Sequence, residues 1–355
     1  MTTSIPVAVL LPVLLLAALI WVYLSACLSA RPVRGTSEWI HRSVSPSFFT
    51  VADLGIAGWI DYVMALVAAA AAFAVRFLFC MASVGFQMPE TAVILRCVGV
   101  ALGTGSAYYA VSQITDSRKN AWVAAVAAFA LLSQADCKAV PSMIAPAFLA
   151  LAPVNPVFFP VFGLFVGLAA VAEPAALFLL LPGLTTAILV QATGKKPSAV
   201  LLWLLGCVLG AAVYAGCRFA SAGVFSWPEL SLIPAVTCSA TGAAVALITV
   251  VFLIVRICAD RRFSDVFLLQ ALVFSIPCLL AGVETAWIYV AAAIGTAAHT
   301  ILTRGTRLRK ASLAVLLVLL TVSLAACVVS SLTGDETIRE LIRYLNPFRY
   351  RFGTN

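Results

Sequence analysis

Seven ionisable side chains interrupt the apolar part of this sequence and are the residues best suited to chemistry. A carboxylate held near a substrate hydroxyl can take its proton as a general base. An arginine presents a planar, permanently charged fork of donors that suits the oxygens of a phosphate. The sequence offers both kinds of group, namely the acids Glu90, Asp136 and Glu173 and the cations Arg76, Arg96, Lys138 and Arg218.

The composition indicates the environment of these groups. Of the 355 residues, 63% are hydrophobic and 10% are charged, with a mean hydropathy of +1.09. A soluble domain carries about 25% charged residues, so the bilayer must be the solvent for most of this chain. Long apolar runs without alternation favour helices over a barrel. We therefore predict an all-α, polytopic membrane protein that contacts membrane lipids.

The apolar runs predict about twelve transmembrane helices. They divide the chain into an N-terminal helix with an interfacial or cytoplasmic loop (1–60), a helical core (61–225), C-terminal helices (226–332) and a basic amphipathic tail (333–355). Prolines crowd one short span, which predicts a broken or tilted helix there. The predicted spans are 6–28, 62–84, 91–112, 121–133, 139–152, 156–172, 175–193, 199–222, 231–258, 266–282, 284–303 and 311–332.

Basic residues predict the orientation of these spans. With an extracytoplasmic N-terminus, thirteen Lys and Arg residues fall in cytoplasmic loops, whereas Lys138 alone falls in an external loop between spans. This bias follows the positive-inside rule and predicts a multi-pass protein of the cell membrane. The same dispersal argues against nucleic acid as a partner, despite the net charge of +8. In this orientation the seven ionisable residues fall near the external face.

Cysteine and histidine give no sign of a metal site or a cofactor. None of the ten cysteines forms a C-x-x-C pair, and most lie in apolar spans, where a thiol packs as a small hydrophobe. His41 and His299 are too far apart in sequence to suggest a zinc site. Leu24–Cys27 matches a lipoprotein cleavage box in letters, but no basic residue precedes the span. We therefore predict a retained helix with an unmodified Cys27.

Residues 62–225 resemble the membrane core of GT-C type glycosyltransferases. One stretch, 96–133, holds a helix, a short charged turn and an Ala-rich helix. Another, 162–174, is similar to the family's Gly-rich helix before a breaker, and 180–196 is similar to the following helix and its basic loop. The family takes sugars from polyprenyl phosphates, so the resemblance implies a polyprenyl-phosphate sugar as the donor.

The resemblance also implies roles for the seven residues. The general base would be Glu90 or Asp136, and the substrate-binding residues would be Arg76, Arg96, Lys138, Glu173 and Arg218. Two departures from the family matter. The external loop that usually carries the catalytic acid shrinks to residues 83–90, and position 173 is acidic where the family is commonly basic.

Two other functions stay open at this point. A transporter or flippase would use broken helices and intramembrane charges as its substrate path. A non-catalytic membrane partner could keep the enzyme's fold without its activity, and the short loop favours this interpretation. A shared water-accessible cavity around the ionisable residues would support a site, whereas lipid-facing positions would support a purely structural role.

Overall fold

A computed structural model describes residues 56–83, 91–115, 118–132, 139–153, 155–194, 198–222, 240–260, 263–280 and 283–304, with single positions at 311, 314, 315 and 318. Within these ranges every regular element is a helix, as predicted. The α-helices are α1 (Ile56–Ser83), α2 (Thr91–Thr115), α3 (Arg118–Leu132), α4 (Ala145–Leu151), α5 (Phe158–Ala172), α6 (Leu180–Gly194), α7 (Ala199–Ala222), α8 (Ala240–Asp260), α9 (Phe263–Leu280) and α10 (Ala286–Arg304).

Four of the described helices are long and apolar enough to cross a membrane. Their spans are Ile60–Leu78, Val93–Thr115, Pro174–Ala192 and Ala199–Ser221. Shorter apolar helices account for several other predicted spans. The predicted spans 6–28 and most of 311–332 lie outside the described residues, so the number twelve stays a prediction.

Two 3-10 helices begin beside prolines and interrupt the helical run. Val140–Met143, with Pro141 in its first turn, precedes α4, and Pro174–Leu179 precedes α6. Proline has no amide hydrogen to donate and fixes its own φ angle, so it starts a helix better than it continues one. The broken helix predicted at 139–152 is therefore present.

The outward faces of the helices carry large apolar side chains. On α7, Leu201 is 68% exposed and Val208 is 64% exposed, and on α1 Leu78 is 60% exposed. Ala65 and Ala68 of α1 are buried instead. Exposing these apolar side chains to water would cost free energy, whereas contact with lipid tails would not. The buried small residues let transmembrane helices approach closely. The chain is accordingly a membrane protein.

The chain divides into two compact units, which are described separately. The hairpin unit comprises the described residues that fall within 47–147, 236–252 and 287–355. Here the Tyr62 and Tyr109 ring centroids are 6.4 Å apart, and the Cys80 and Cys97 sulfurs are 4.0 Å apart. Position in α2 falls as position in α1 rises, so the two helices pack antiparallel. The Ala-rich α3 packs against α2 and is buried over most of its length.

The glycine unit comprises the described residues that fall within 148–235 and 253–286. Its α5 and α7 touch backbone to backbone, since a Cβ at Gly163 would overlap the backbone of Gly206, and one at Gly167 would overlap that of Gly210. Both pairs ascend by four residues, so the two helices run in the same direction. The topology predicted from the sequence likewise has spans 156–172 and 199–222 crossing the membrane in the same direction.

Candidate functional site

Two of the predicted phosphate-binding residues, Arg76 and Arg96, lie at the same end of α1 and α2 in the hairpin unit. Arg76 lies two residues before the end of the apolar span of α1, and Arg96 lies three residues after the start of that of α2. Cys80 is one helical turn beyond Arg76, and its sulfur is 4.0 Å from that of Cys97, the neighbour of Arg96. Antiparallel packing thus brings both guanidinium groups to one end of the α1–α2 hairpin.

The electrostatics of this end are positive. Cys80 lies beyond Leu78, where the apolar span of α1 ends. Arg76 lies one turn before Cys80 in α1, and Arg96 is next to Cys97 in α2, so both cations are near the contact between the two thiols. Arg76 is half-buried, and its Nε has no hydrogen-bond partner among the residues that the structure describes. Two neighbouring cations favour an anionic ligand between them.

The glycine unit holds the other two described candidates. Glu173 caps the C-terminus of α5 in an extended conformation (φ −141°, ψ 100°), and its amide donates to the Ala169 carbonyl at 2.9 Å. The Arg218 guanidinium lies 5.6 Å from the ring centroid of Tyr214 on α7. The glycine register of the parallel helices puts Glu173 and Arg218 at the same end of the pair. No hydrogen bond to the Arg218 Nε is found in the described part of the chain.

Three predicted residues lie outside the described ranges. Glu90 belongs to 84–90, and Asp136 and Lys138 belong to 133–138. The two candidates for a general base therefore stay predictions. The structure describes three of the four predicted cations and one acid, with Arg76 and Arg96 in one unit and Arg218 and Glu173 in the other.

Sequence reasoning missed two ion pairs. In the hairpin unit, Arg118 donates through Nε to the Asp61 carboxylate at 2.8 Å. In the glycine unit, Arg256 Nε lies 3.1 Å from Oδ2 of the fully buried Asp265. Asp265 stands in the first turn of α9, nine residues after Arg256, so a helical hairpin could have suggested that pair. No local signal connects Asp61 with a residue 57 positions away.

A buried polar contact was also missed. The Gln270 amide of α9 donates to the Thr186 hydroxyl of α6 at 2.6 Å, and both side chains are buried. Hydrogen bonds of this kind hold transmembrane helices together, with a typical stabilisation of about 1 kcal/mol. This contact joins two helices of the glycine unit, and neither partner is one of the predicted site residues.

Comparison with known proteins gives a single kind of match. No protein-family model matches the sequence, and no curated protein matches it. The chain is similar to two crystal structures of the Archaeoglobus fulgidus oligosaccharyltransferase. One is tethered through a disulfide to an acceptor peptide containing the NVT sequon, with 14% identity, and the other is the apo form, with 12% identity.

The extent of this similarity is limited. Both matches have a TM-score of 0.38 and cover 78% of this chain, but only 52% and 53% of the matched chains. The chain thus spans about half the length of the structures it matches. The matched protein is a GT-C type glycosyltransferase.

Proposed function

We propose that this membrane protein is a GT-C-like glycosyltransferase that uses a polyprenyl-phosphate sugar. The observation that carries the proposal is the placement of Arg76 and Arg96 at the same end of the α1–α2 hairpin. Breaking the bond between the sugar and the phosphate leaves negative charge on the phosphate oxygens. Two fixed guanidinium groups stabilise that charge as it develops.

A general base completes the proposed reaction. Glu90, which immediately precedes α2 in sequence, is the residue that we propose as this base. It would take the proton of the acceptor hydroxyl or amide as the sugar is transferred. Asp136 is the other candidate. We place this end of the hairpin at the outer membrane face, as the distribution of basic residues favours.

The test is sugar transfer by purified protein from a short-chain polyprenyl-phosphate sugar in detergent. Arg76→Ala and Arg96→Ala should each lower the rate on the order of 10²-fold, because each removes a contact to the leaving phosphate. Glu90→Gln should do the same if Glu90 is the base. The matched control is Lys119→Ala, which removes an exposed cation at the N-terminus of α3 and should leave the rate unchanged.

The result that would overturn the proposal is equally direct. If the parent protein transfers no sugar from any lipid-linked donor, the enzyme interpretation is wrong. Retained binding of the lipid donor, lost in Arg76→Ala but not in Lys119→Ala, would then support a non-catalytic lipid-binding partner. A parent-like rate in both arginine variants would contradict the assigned role of the hairpin end.

Transport is a second candidate because of the 3-10 helices that interrupt the chain at 140–143 and 174–179. Interrupted transmembrane helices expose backbone groups that can line a substrate path. Movement of a labelled lipid-linked sugar between the leaflets of proteoliposomes, without its consumption, would favour this function. If the lipid-linked sugar is consumed without moving between the leaflets, the transport function would be excluded and sugar transfer would be supported.

A further inference from the structure

Two cysteines of the hairpin unit lie close enough to react with each other. Cys80 is near the end of α1 and Cys97 is in the second turn of α2, with their sulfurs 4.0 Å apart. A disulfide needs about 2.05 Å between sulfurs. The remaining approach of about 2 Å is within the reach of a rotation about a cysteine Cα–Cβ bond.

We propose that Cys80 and Cys97 form a reversible disulfide that joins α1 to α2 when the chain meets a low-molecular-weight disulfide such as oxidised glutathione. This inference goes beyond the proposed function, because it assigns a chemical modification and needs no sugar substrate. It also differs from the packing role that the sequence suggested for these thiols.

The surroundings of the two thiols set the order of the steps. Cys80 is half-buried, whereas Cys97 is completely buried. An external disulfide therefore reaches Cys80 first. Arg76 lies one turn before Cys80 and Arg96 is next to Cys97, and cations beside a thiol favour the thiolate, which is the nucleophilic form. Cys97 is then in position to act as the resolving thiol.

The exchange balances in atoms and electrons. The Cys80 thiolate attacks one sulfur of oxidised glutathione, which gives a mixed disulfide and releases one glutathione thiolate. Cys97, after losing its proton, attacks the Cys80 sulfur and releases the second glutathione. The two protein thiols together lose two protons and two electrons, and the electrons reduce oxidised glutathione to two thiols.

The test uses the purified full chain, treated with oxidised glutathione or with dithiothreitol, then with N-ethylmaleimide and trypsin. Trypsin cuts after Arg76, Arg96 and Arg118, so Cys80 falls in peptide 77–96 and Cys97 in peptide 97–118. Mass spectrometry should find these two peptides linked in the oxidised sample and separate after reduction. Cys207, half-buried on α7, is the internal control and should carry N-ethylmaleimide in both samples.

Two variants separate the steps. Cys97→Ala should trap glutathione on Cys80 as the mixed disulfide, because the resolving thiol is gone. Cys80→Ala should leave Cys97 without glutathione, because the buried thiol is not reached first. If the parent keeps N-ethylmaleimide on both cysteines, or ends with glutathione on Cys80 and no linked peptide, the proposal is wrong. Since all readouts are chemical, this outcome is independent of sugar transfer.

Discussion

The hairpin unit and the glycine unit use different contacts to hold their helices. In the hairpin unit, side chains join α1 to α2, through the Tyr62–Tyr109 ring pair and the Cys80–Cys97 contact. In the glycine unit, α5 and α7 meet through their backbones, with no intervening side chain at the glycine positions. The described ion pairs also differ in burial, because Arg118 of the hairpin unit is half exposed whereas Arg256 and Asp265 of the glycine unit are both buried. The two units therefore show two ways of joining apolar helices, one through side chains and one through closely packed backbones.

The largest effect is expected from the buried ion pair of the glycine unit. Asp265→Ala should lower the free energy of unfolding by about 3–5 kcal/mol, because it removes the carboxylate that faces the buried Arg256 guanidinium. Unfolding by a denaturing detergent, followed by circular dichroism, measures the change. Asp265→Glu is the control and should recover part of the loss. If Asp265→Ala lowers the free energy of unfolding by less than Asp61→Asn in the hairpin unit does, the inference that the more buried ion pair contributes more would be wrong.

The glycine contact should be the next most sensitive feature. Gly163→Val should destabilise the protein by about 3 kcal/mol, since its side chain would meet the Gly206 backbone, which cannot move aside as a flexible side chain can. The same unfolding measurement applies. Gly216→Val on α7 is a matched control, because a Cβ at Gly216 meets nothing within 4 Å. Equal losses in both variants would point to helix propensity instead of close packing.

The smallest effect is expected from the ion pair of the hairpin unit. The Arg118 side chain is 48% exposed, so solvent screens its interaction with Asp61. Asp61→Asn should therefore cost about 1 kcal/mol of unfolding free energy, and the cost should shrink at high salt. Asp61→Glu serves as the control that keeps the charge. A loss that does not change with salt would indicate a packing effect in place of an electrostatic one.

Helices were largely predictable because polar residues and breakers bound each apolar run. The sequence predicts a span over 199–222, and α7 is Ala199–Ala222. The prolines near 141 and 174 likewise indicated where helical runs are interrupted. The predicted start of one helix was less accurate. The helix α1 begins at Ile56, six residues before the predicted start of the span at 62.

The contacts between helices were not predictable in the same way. The Cys80–Cys97 contact and the Asp61–Arg118 pair depend on the direction and rotation of each helix, which hydropathy does not specify. Spacing alone therefore assigned the cysteines to packing. For the candidate site, the placement of Arg76 and Arg96 at the same helix end could be expected from the few residues between α1 and α2. The proposed base, Glu90, stays a prediction that the described residues do not test.

The glycine contact between α5 and α7 has a consequence for the entropy of assembly. A long side chain gives up rotamer freedom when it is locked between helices, at a cost of up to about 2 kcal/mol, whereas glycine has no rotamer to lose. Backbones in contact also allow weak Cα–H···O hydrogen bonds between helices. Because the contact has no alternative rotamers through which to slip, α5 and α7 should move together, as one rigid body, during any rearrangement of the glycine unit.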